Sequence, residues 1–250
     1  MEQIACITGA TSGIGQAAAE RFAAEGWRVI VVGRREDRLR ELAAAHKDKV
    51  LPLALDVRDR QAVNRAFASL PRDFAAIDML VNSAGLALGL EPAQACDLDD
   101  WDTMIDTNNK GLAYCTRAVL PGMVERNRGH VINLGSIAGT YAYPGGNVYG
   151  GTKAFVEQFS RSLRCDLYGT AVRVTNVEPG LLETEFSLVR FKGDTAVASA
   201  LYQGANPLRA EDIADIIWWA GTRPAHVNIC RVEVMPTSQS PSAHRVYKGQ

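Results

Sequence analysis

Short apolar runs alternate with longer segments of helical period along the whole chain. Ile4–Thr8, Val29–Val32, Val50–Leu55, Met79–Val81, Val131–Leu134, Val172–Val177 and Ile229–Val234 are rich in Val, Ile and Leu. Unbroken apolar runs of this length suit strands covered on both faces. Between them the spacing changes to three and four. Ala17, Ala18, Phe22 and Ala23 share one helical face, and Phe155, Phe159, Leu163 and Leu167 step by four. Seven such alternations predict an α/β fold, a doubly wound, seven-stranded parallel sheet with helices on both faces and right-handed crossovers. No internal repeat, low-complexity tract or linker interrupts the pattern, so residues 1–250 read as a single domain. The segment from about Leu181 to Pro207 lacks a clear period and is too long for an ordinary connection. It is expected to be a lid over a site.

Composition narrows the class without redrawing the fold. The chain is 47% hydrophobic and 22% charged, enough to bury a core. Twenty-seven basic residues against 28 acidic give a formal charge of −1, so nothing electrostatic favours nucleic acid or an anionic membrane as partner. No apolar run approaches the roughly 18–20 residues of a membrane span. Met1-Glu2-Gln3 leads directly into an apolar stretch without a basic leader, so a cytoplasmic protein is expected. The five cysteines are scattered and form no C-x-x-C pair, which suits reduced thiols. His46, His130, His226 and His244 have no metal-ligand spacing, and no metal is expected.

Candidate chemistry begins where the first strand meets the first helix, at Thr8-Gly9-Ala10-Thr11-Ser12-Gly13-Ile14-Gly15. Glycines there allow a tight turn, close approach of a phosphate, and tight helix–strand packing, with the pyrophosphate resting on the helix N-terminus. This makes the fold Rossmann-like, although the spacing is G-x-x-x-G-x-G and not G-x-G-x-x-G. The second strand ends at Val32-Gly33-Arg34-Arg35, where an NAD site would place a carboxylate. Arg34 and Arg35 instead match the 2′-phosphate of NADP(H), unless they simply face solvent. Asp37 falls in the next helix's first turn and would complement its dipole. Asp56-Val57 and Asn82-Ser83-Ala84-Gly85 close the third and fourth strands at the same crevice. Asp56 and Asn82 would bond the adenine edge and hold neighbouring strands, or Asp56 would cap the following helix.

Tyr149 and Lys153 stand four apart on a predicted helix, hence on one face. A neighbouring ammonium favours a phenolate and brings the phenol toward the working range of a general acid–base. Ser136 follows the Val131–Leu134 strand, where its hydroxyl would hold a substrate carbonyl oxygen while Tyr149 protonates it. Asn108 lies in Thr107-Asn108-Asn109-Lys110-Gly111, a poor helix former inside a long helical segment, which predicts a local break with a polar purpose.

Taken together, these motifs resemble the short-chain dehydrogenase/reductase family, in its order and over essentially the whole chain. The resemblance implies a Ser136–Tyr149–Lys153 active site assisted by Asn108. Tyr149 would donate and accept the proton. Lys153 would bind the nicotinamide ribose and lower the tyrosine pKa, and Asn108 would anchor a water relay. Pro179, Gly180, Leu182 and Thr184 would contact the nicotinamide carboxamide. One departure is Ser83, where the family has the second Asn of Asn-Asn-Ala-Gly. Within the family, Leu86-Ala87-Leu88-Gly89, Gly145-Gly146-Asn147-Val148-Tyr149, Val189-Arg190-Phe191-Lys192-Gly193-Asp194 and Pro224-Ala225-His226-Val227-Asn228 look closest to NADP-dependent 3-hydroxy acid dehydrogenases, those acting on serine or allo-threonine and reducing malonic semialdehyde. A homotetramer is implied as well.

A 3-hydroxy acid carries a carboxylate, and Arg190 and Lys192 are the cations the lid would bring to it, if they are not merely solvated. Glu178 would meet a substrate ammonium, or else cap a helix or face water. Trp218 and Trp219 read as core or interface, and Trp101 as part of an oligomer face. The Phe155–Leu167 ladder suits either a helix–helix interface or the sheet. The alternatives to this function are the same chemistry on a bulkier thioester, cyclic or steroid substrate, and a non-catalytic dinucleotide sensor.

Overall fold

The computed structural model describes residues 2–241, 246 and 248; His244 lies outside the described residues. Seven strands form one parallel sheet: β1 (Ile4–Thr8), β2 (Arg28–Gly33), β3 (Val50–Ala54), β4 (Met79–Asn82), β5 (Gly129–Leu134), β6 (Val172–Pro179) and β7 (Arg231–Val234). Their spatial order is β3-β2-β1-β4-β5-β6-β7, so the winding reverses between β1 and β4. A crevice forms there because successive crossovers leave in opposite directions, and ligands bind at the carboxyl ends of the flanking strands.

Alternate residues of each central strand feed two separate cores. Ala5, Ile7, Val29, Val31, Val81 and Ile132 face α1 (Gly13–Ala24) and α9 (Ala210–Gly221). Ile4, Cys6, Ile30, Val32, Leu80 and Val131 face the helices opposite, α3 (Arg60–Ala68), α5 (Leu112–Glu125) and α6 (Asn147–Asp166). Phe22 is fully enclosed, edge-on to Trp27 at 5.1 Å and to Trp218 at 5.0 Å between ring centroids. Burial of such a ring contributes about 2–3 kcal/mol by area alone. Trp218, partly buried, therefore packs against the core, while Trp219 is exposed.

Only the inner strands are covered on both faces. The edge strands β3 and β7 alternate between covered and exposed positions. β3 still packs on α2 (Glu36–His46) through Val50, and it tolerates Pro52 because an edge strand has one unpaired side. The Phe155–Leu167 ladder divides likewise: Leu163 and Leu167 enter the core, Phe159 packs partly buried against it, and exposed Phe155 stacks on Phe159. Trp101 is partly buried. It packs with Met104, Ala138 and Tyr149 behind the crevice.

The Leu181–Pro207 segment is not structureless. It holds two six-residue helices, α7 (Glu185–Arg190) and α8 (Thr195–Ala200), each too short to imprint a period on the sequence. Its ends are fastened together by Leu208 N–H to Leu181 O (3.0 Å) and Glu183 N–H to Leu208 O (2.9 Å). Gly89 N–H donates to Arg190 O at 2.9 Å and joins the segment to the loop after β4.

Candidate active site

Glycine shapes the crevice first. Gly9 and Gly13 have positive φ, 70° and 52°, which side-chain-bearing residues rarely adopt. A Cβ on Gly15 would stand 2.4 Å from Gly9 O, so helix α1 approaches β1 closely only because that atom is missing. Thr8 Oγ1 accepts the Ser83 and Ala84 N–H groups at 3.1 and 3.0 Å, binding the turn after β1 to the end of β4. Ser83, where the family has its second asparagine, thus takes part in this link through its main chain.

The resulting cleft measures about 380 Å³, a normal size for a small-molecule site. It runs from Arg34 and Arg35 past Thr11, Ser12, Gly13 and Ile14, and past Asp56, Val57, Ala84 and Gly85, to Ser136, Tyr149 and Lys153. Pro179, Gly180, Leu182 and Thr184 form its far wall. A dinucleotide fits such a path: a glycine cradle opening α1, cations at one end and acid–base groups at the other. Gly85 leaves the space beside Lys153, since a Cβ there would sit 3.6 Å from Nζ and 3.2 Å from Asn108 Oδ1.

Of two further residues expected at the cofactor, Asn82 holds the neighbouring strand as expected, and neither it nor Gly15 is among the residues that line the cleft. Gly15 packs on Gly9, and the buried Asn82 amide donates to Asn133 Oδ1 and Thr116 Oγ1, both at 2.9 Å, latching β4 to β5 and α5. Asp56 does line the cleft, but its carboxylate accepts from Arg58 Nε and Nη2 at 3.0 and 2.7 Å. That bonding holds its pKa below the ordinary value. It caps nothing; Asp59 caps α3 through Gln61 and Ala62 N–H.

The two arginines differ. Arg34 is exposed, and its guanidinium has no hydrogen bond or ion pair among the described residues. Arg35 is engaged, donating to Thr11 Oγ1 and to Glu185 Oε2. Arg38, one turn along α2 (Glu36–His46), joins it on Glu185 Oε1 at 2.7 Å. Arg38 and Glu185 were missed because their partners lie 147 residues apart in the chain.

At the chemical end, the Ser136 hydroxyl stands beside the Tyr149 phenol, where it favours the phenolate, and donates to Pro179 O at 3.4 Å. Ser136 Oγ also accepts the Ala138 N–H at 3.1 Å, which fixes its rotamer. Lys153 Nζ donates to Leu134 O at 2.8 Å and lies 5.8 Å from the Tyr149 ring centroid. Both groups are buried. Contrary to expectation, the phenol is not lowered in this structure. Burial outweighs the influence of Ser136 and pushes Tyr149 up to about 12, while burial alone brings Lys153 down to about 8. Lys153 is thus still mostly charged at neutral pH, and Tyr149 holds its proton.

Asn108 sits in a π-helical turn, Asp106–Gly111, where the predicted break falls. Gly111 permits it, as a Cβ there would meet Val57 Cγ2 at 2.6 Å. The Asn108 amide is fully engaged, accepting from Leu86 N–H and donating to Leu86 O and Thr152 Oγ1. Asn109 adds a bond to Thr152 O at 2.9 Å, so the π-turn grips the helical turn that carries Lys153.

Arg190 is no solvated loop cation. Its guanidinium lies over the rings of Tyr149 (5.2 Å), Tyr143 (5.6 Å) and Phe186 (5.9 Å) and donates to the Tyr143 hydroxyl. Its Nε is buried without a partner. Tyr143, another residue the sequence did not single out, lies in the irregular loop before α6. Lys192 is not available to a ligand, being paired with Asp100 at 2.7 Å. Glu178 neither faces solvent nor caps a helix. It is 1% exposed in β6, bonded to Arg231 Nε at 2.7 Å and to the Asn176 amide, and burial still raises it to about 7.

Among the described residues, no helix is long and apolar enough to cross a membrane, and no cluster of three His, Cys, Asp or Glu side chains is arranged to hold a metal. The chain is 59% identical over 238 residues to an NADP-dependent 3-hydroxy acid dehydrogenase, YdfG, of Salmonella typhi, covering 95% of this chain and 96% of the relative. It is 55% identical over 249 residues to sulfoacetaldehyde reductase 2 of Chromohalobacter salexigens, covering 98% and 99%. Among solved structures, a closed form of serine dehydrogenase complexed with NADP+ superposes with a TM-score of 0.94 at 57% identity, covering 95% of this chain and 96% of that one. Residues 3–193 match the short chain dehydrogenase model, and with a crevice that brings serine, tyrosine and lysine to one end of a glycine cradle, the chain belongs to that family.

Proposed function

We propose that the protein is an NADP(H)-dependent oxidoreductase that interconverts a small 3-hydroxy acid and its 3-oxo form. Serine, allo-threonine, 3-hydroxyisobutyrate and the 3-hydroxypropionate/malonic semialdehyde pair are the candidate substrates. One observation carries the substrate class: the Arg190 guanidinium, with a buried unpaired Nε, is packed on the ring of Tyr149. An acid group held there would bring a carbonyl two carbons away toward the Ser136 and Tyr149 hydroxyls. The relatives' names share that spacing. A 3-hydroxy acid, serine and sulfoacetaldehyde each place an acid group one carbon removed from the reacting carbon.

When bound, the nicotinamide supplies or takes up the hydride. Ser136 holds the substrate oxygen, and Tyr149 gives it a proton as the carbonyl is reduced. The Lys153 ammonium offsets the negative charge left on the phenol. Asn108 acts by holding Thr152 and with it Lys153, and a water relay would run past its main chain, since its amide is occupied. The same reading places the enzyme in the cytoplasm, where thiols such as its free cysteines stay reduced. It also makes the protein a homotetramer, for which exposed Phe155, stacked on the partly buried Phe159, offers an apolar face.

The test is a screen of NADP+ reduction with serine, 3-hydroxyisobutyrate and a cyclic alcohol. Turnover of the two acids supports the assignment. Turnover of the cyclic alcohol alone transfers it to a bulkier-substrate reductase, and bound cofactor without turnover indicates a sensor. Because Arg34 is the unpaired cation, Arg34→Ala is expected to raise the Michaelis constant for NADPH about tenfold, the loss of one charge-assisted bond, with little change for NADH. An equal effect on both cofactors would remove Arg34 from the 2′-phosphate.

A further inference from the structure

We propose that Glu185 is a positioning residue for the dinucleotide, fastening the start of α7 across the cleft to Arg35 and Arg38 and thereby slowing cofactor release. The proposal rests on the cofactor reading given above. Glu185 Oε2 accepts from Arg35 Nη1 at 2.9 Å, and Oε1 accepts from Arg38 Nη1 at 2.7 Å. The same two guanidiniums hold the glycine-rich turn: Arg35 Nε and Nη2 donate to Thr11 Oγ1 at 3.1 and 3.0 Å, and Arg38 Nη1 donates to Thr11 O at 3.2 Å. One carboxylate therefore joins α7, α2 and the phosphate cradle. Next to it, Thr184 caps α7, and its Cγ2 stands 3.3 Å from where a Cβ of Gly13 would be. The cradle is thus covered from the α7 side.

A ligand reaching from Arg34 to Lys153 along this cleft runs past Arg35, Thr184 and Glu185, and on this proposal the ion pairs open for it to enter or leave. Each pair alone is about 40% exposed on both sides and would count for little. Shared between two arginines that are themselves fixed by Thr11, the carboxylate belongs to a network, in which geometry is set before the last contact forms. Its acidity is strengthened accordingly, the two arginine bonds holding it below the ordinary carboxylate value.

The opposite electrostatic outcome is equally definite: a carboxylate beside a 2′-phosphate would repel it, and its removal would tighten NADPH selectively. Release rates separate the two. Full-length protein loaded with NADPH is mixed with excess NADP+, and the decay of nicotinamide fluorescence is followed by stopped flow, then repeated with NADH. Glu185→Gln is expected to release both cofactors roughly three- to tenfold faster, because the closure spans the part they share. Glu185→Asp should fall between, and added salt should quicken release from the parent more than from Glu185→Gln. Unchanged release rates, or tighter NADPH binding with NADH unaffected, would overturn the proposal. If the parent binds NADH and not NADPH, the cofactor reading fails instead, while the comparison is still read with NADH.

Discussion

Tyr149→Phe is expected to lower turnover roughly 10³-fold, within the range of about 10² to 10⁴ that a positioned acid–base group contributes. NADPH should still bind with close to the parent affinity. The substitution removes one oxygen and leaves the ring, which packs with Met104, Ala138 and the tilted ring of Phe186, so the pocket wall survives. What disappears is the phenolic proton beside Ser136. The pH profile provides a second reading of the same site. Tyr149, at about 12, keeps its proton throughout the accessible range, whereas Lys153 is charged only below about 8. Carbonyl reduction should therefore stay level at neutral pH and decline as pH rises through about 8, when the ammonium that offsets the nascent phenolate is lost. A Tyr149→Phe enzyme with substantial residual turnover, or a parent rate that is flat to high pH, would contradict the assignment of these two groups.

Arg190→Leu is expected to reduce kcat/KM for 3-hydroxy acids about 10²-fold, equivalent to about 2.7 kcal/mol and in keeping with loss of a hydrogen-bonded charge pair. Leucine retains an apolar contact with Tyr143, Tyr149 and Phe186, so cofactor affinity and folding should change little. A neutral carbonyl compound of similar size, which offers the guanidinium no anion, should lose only a small factor. Measuring both substrates on one preparation isolates the ionic contact from any general disturbance of the pocket. Equal losses on the two would show that Arg190 supports the ring of Tyr149 and does not read the substrate's acid group.

The parts legible in the sequence are those that depend on short-range pattern. Ile4–Thr8 is predicted and found with the same ends, because a strand buried on both faces is apolar almost throughout. The break at Asn108 is visible because consecutive asparagines and a glycine weaken a helix locally. Helices α7 and α8 were not legible, since six residues complete fewer than two turns and present no repeating face. The edge strands misled because an apolar run does not say whether a neighbour covers it. Glu178 misled for a related reason: its partner Arg231 lies 53 residues away on the next strand.

The sequence by itself determined the alternating architecture, the glycine cradle, and the identity of the serine, tyrosine, lysine and arginine groups available for chemistry. These follow from spacing along one chain, which fixes what shares a strand end or a helical face. Only the tertiary structure decided which charges are free. It left Arg34 open, spent Arg35 and Arg38 on Glu185, Lys192 on Asp100 and Asp56 on Arg58, and set Arg190 against the tyrosine ring. It also decided that burial, and not the neighbouring ammonium, governs the phenol's proton. Desolvation and ion pairing depend on every atom within a few ångströms, and residues far apart in the chain become neighbours only once the sheet has assembled.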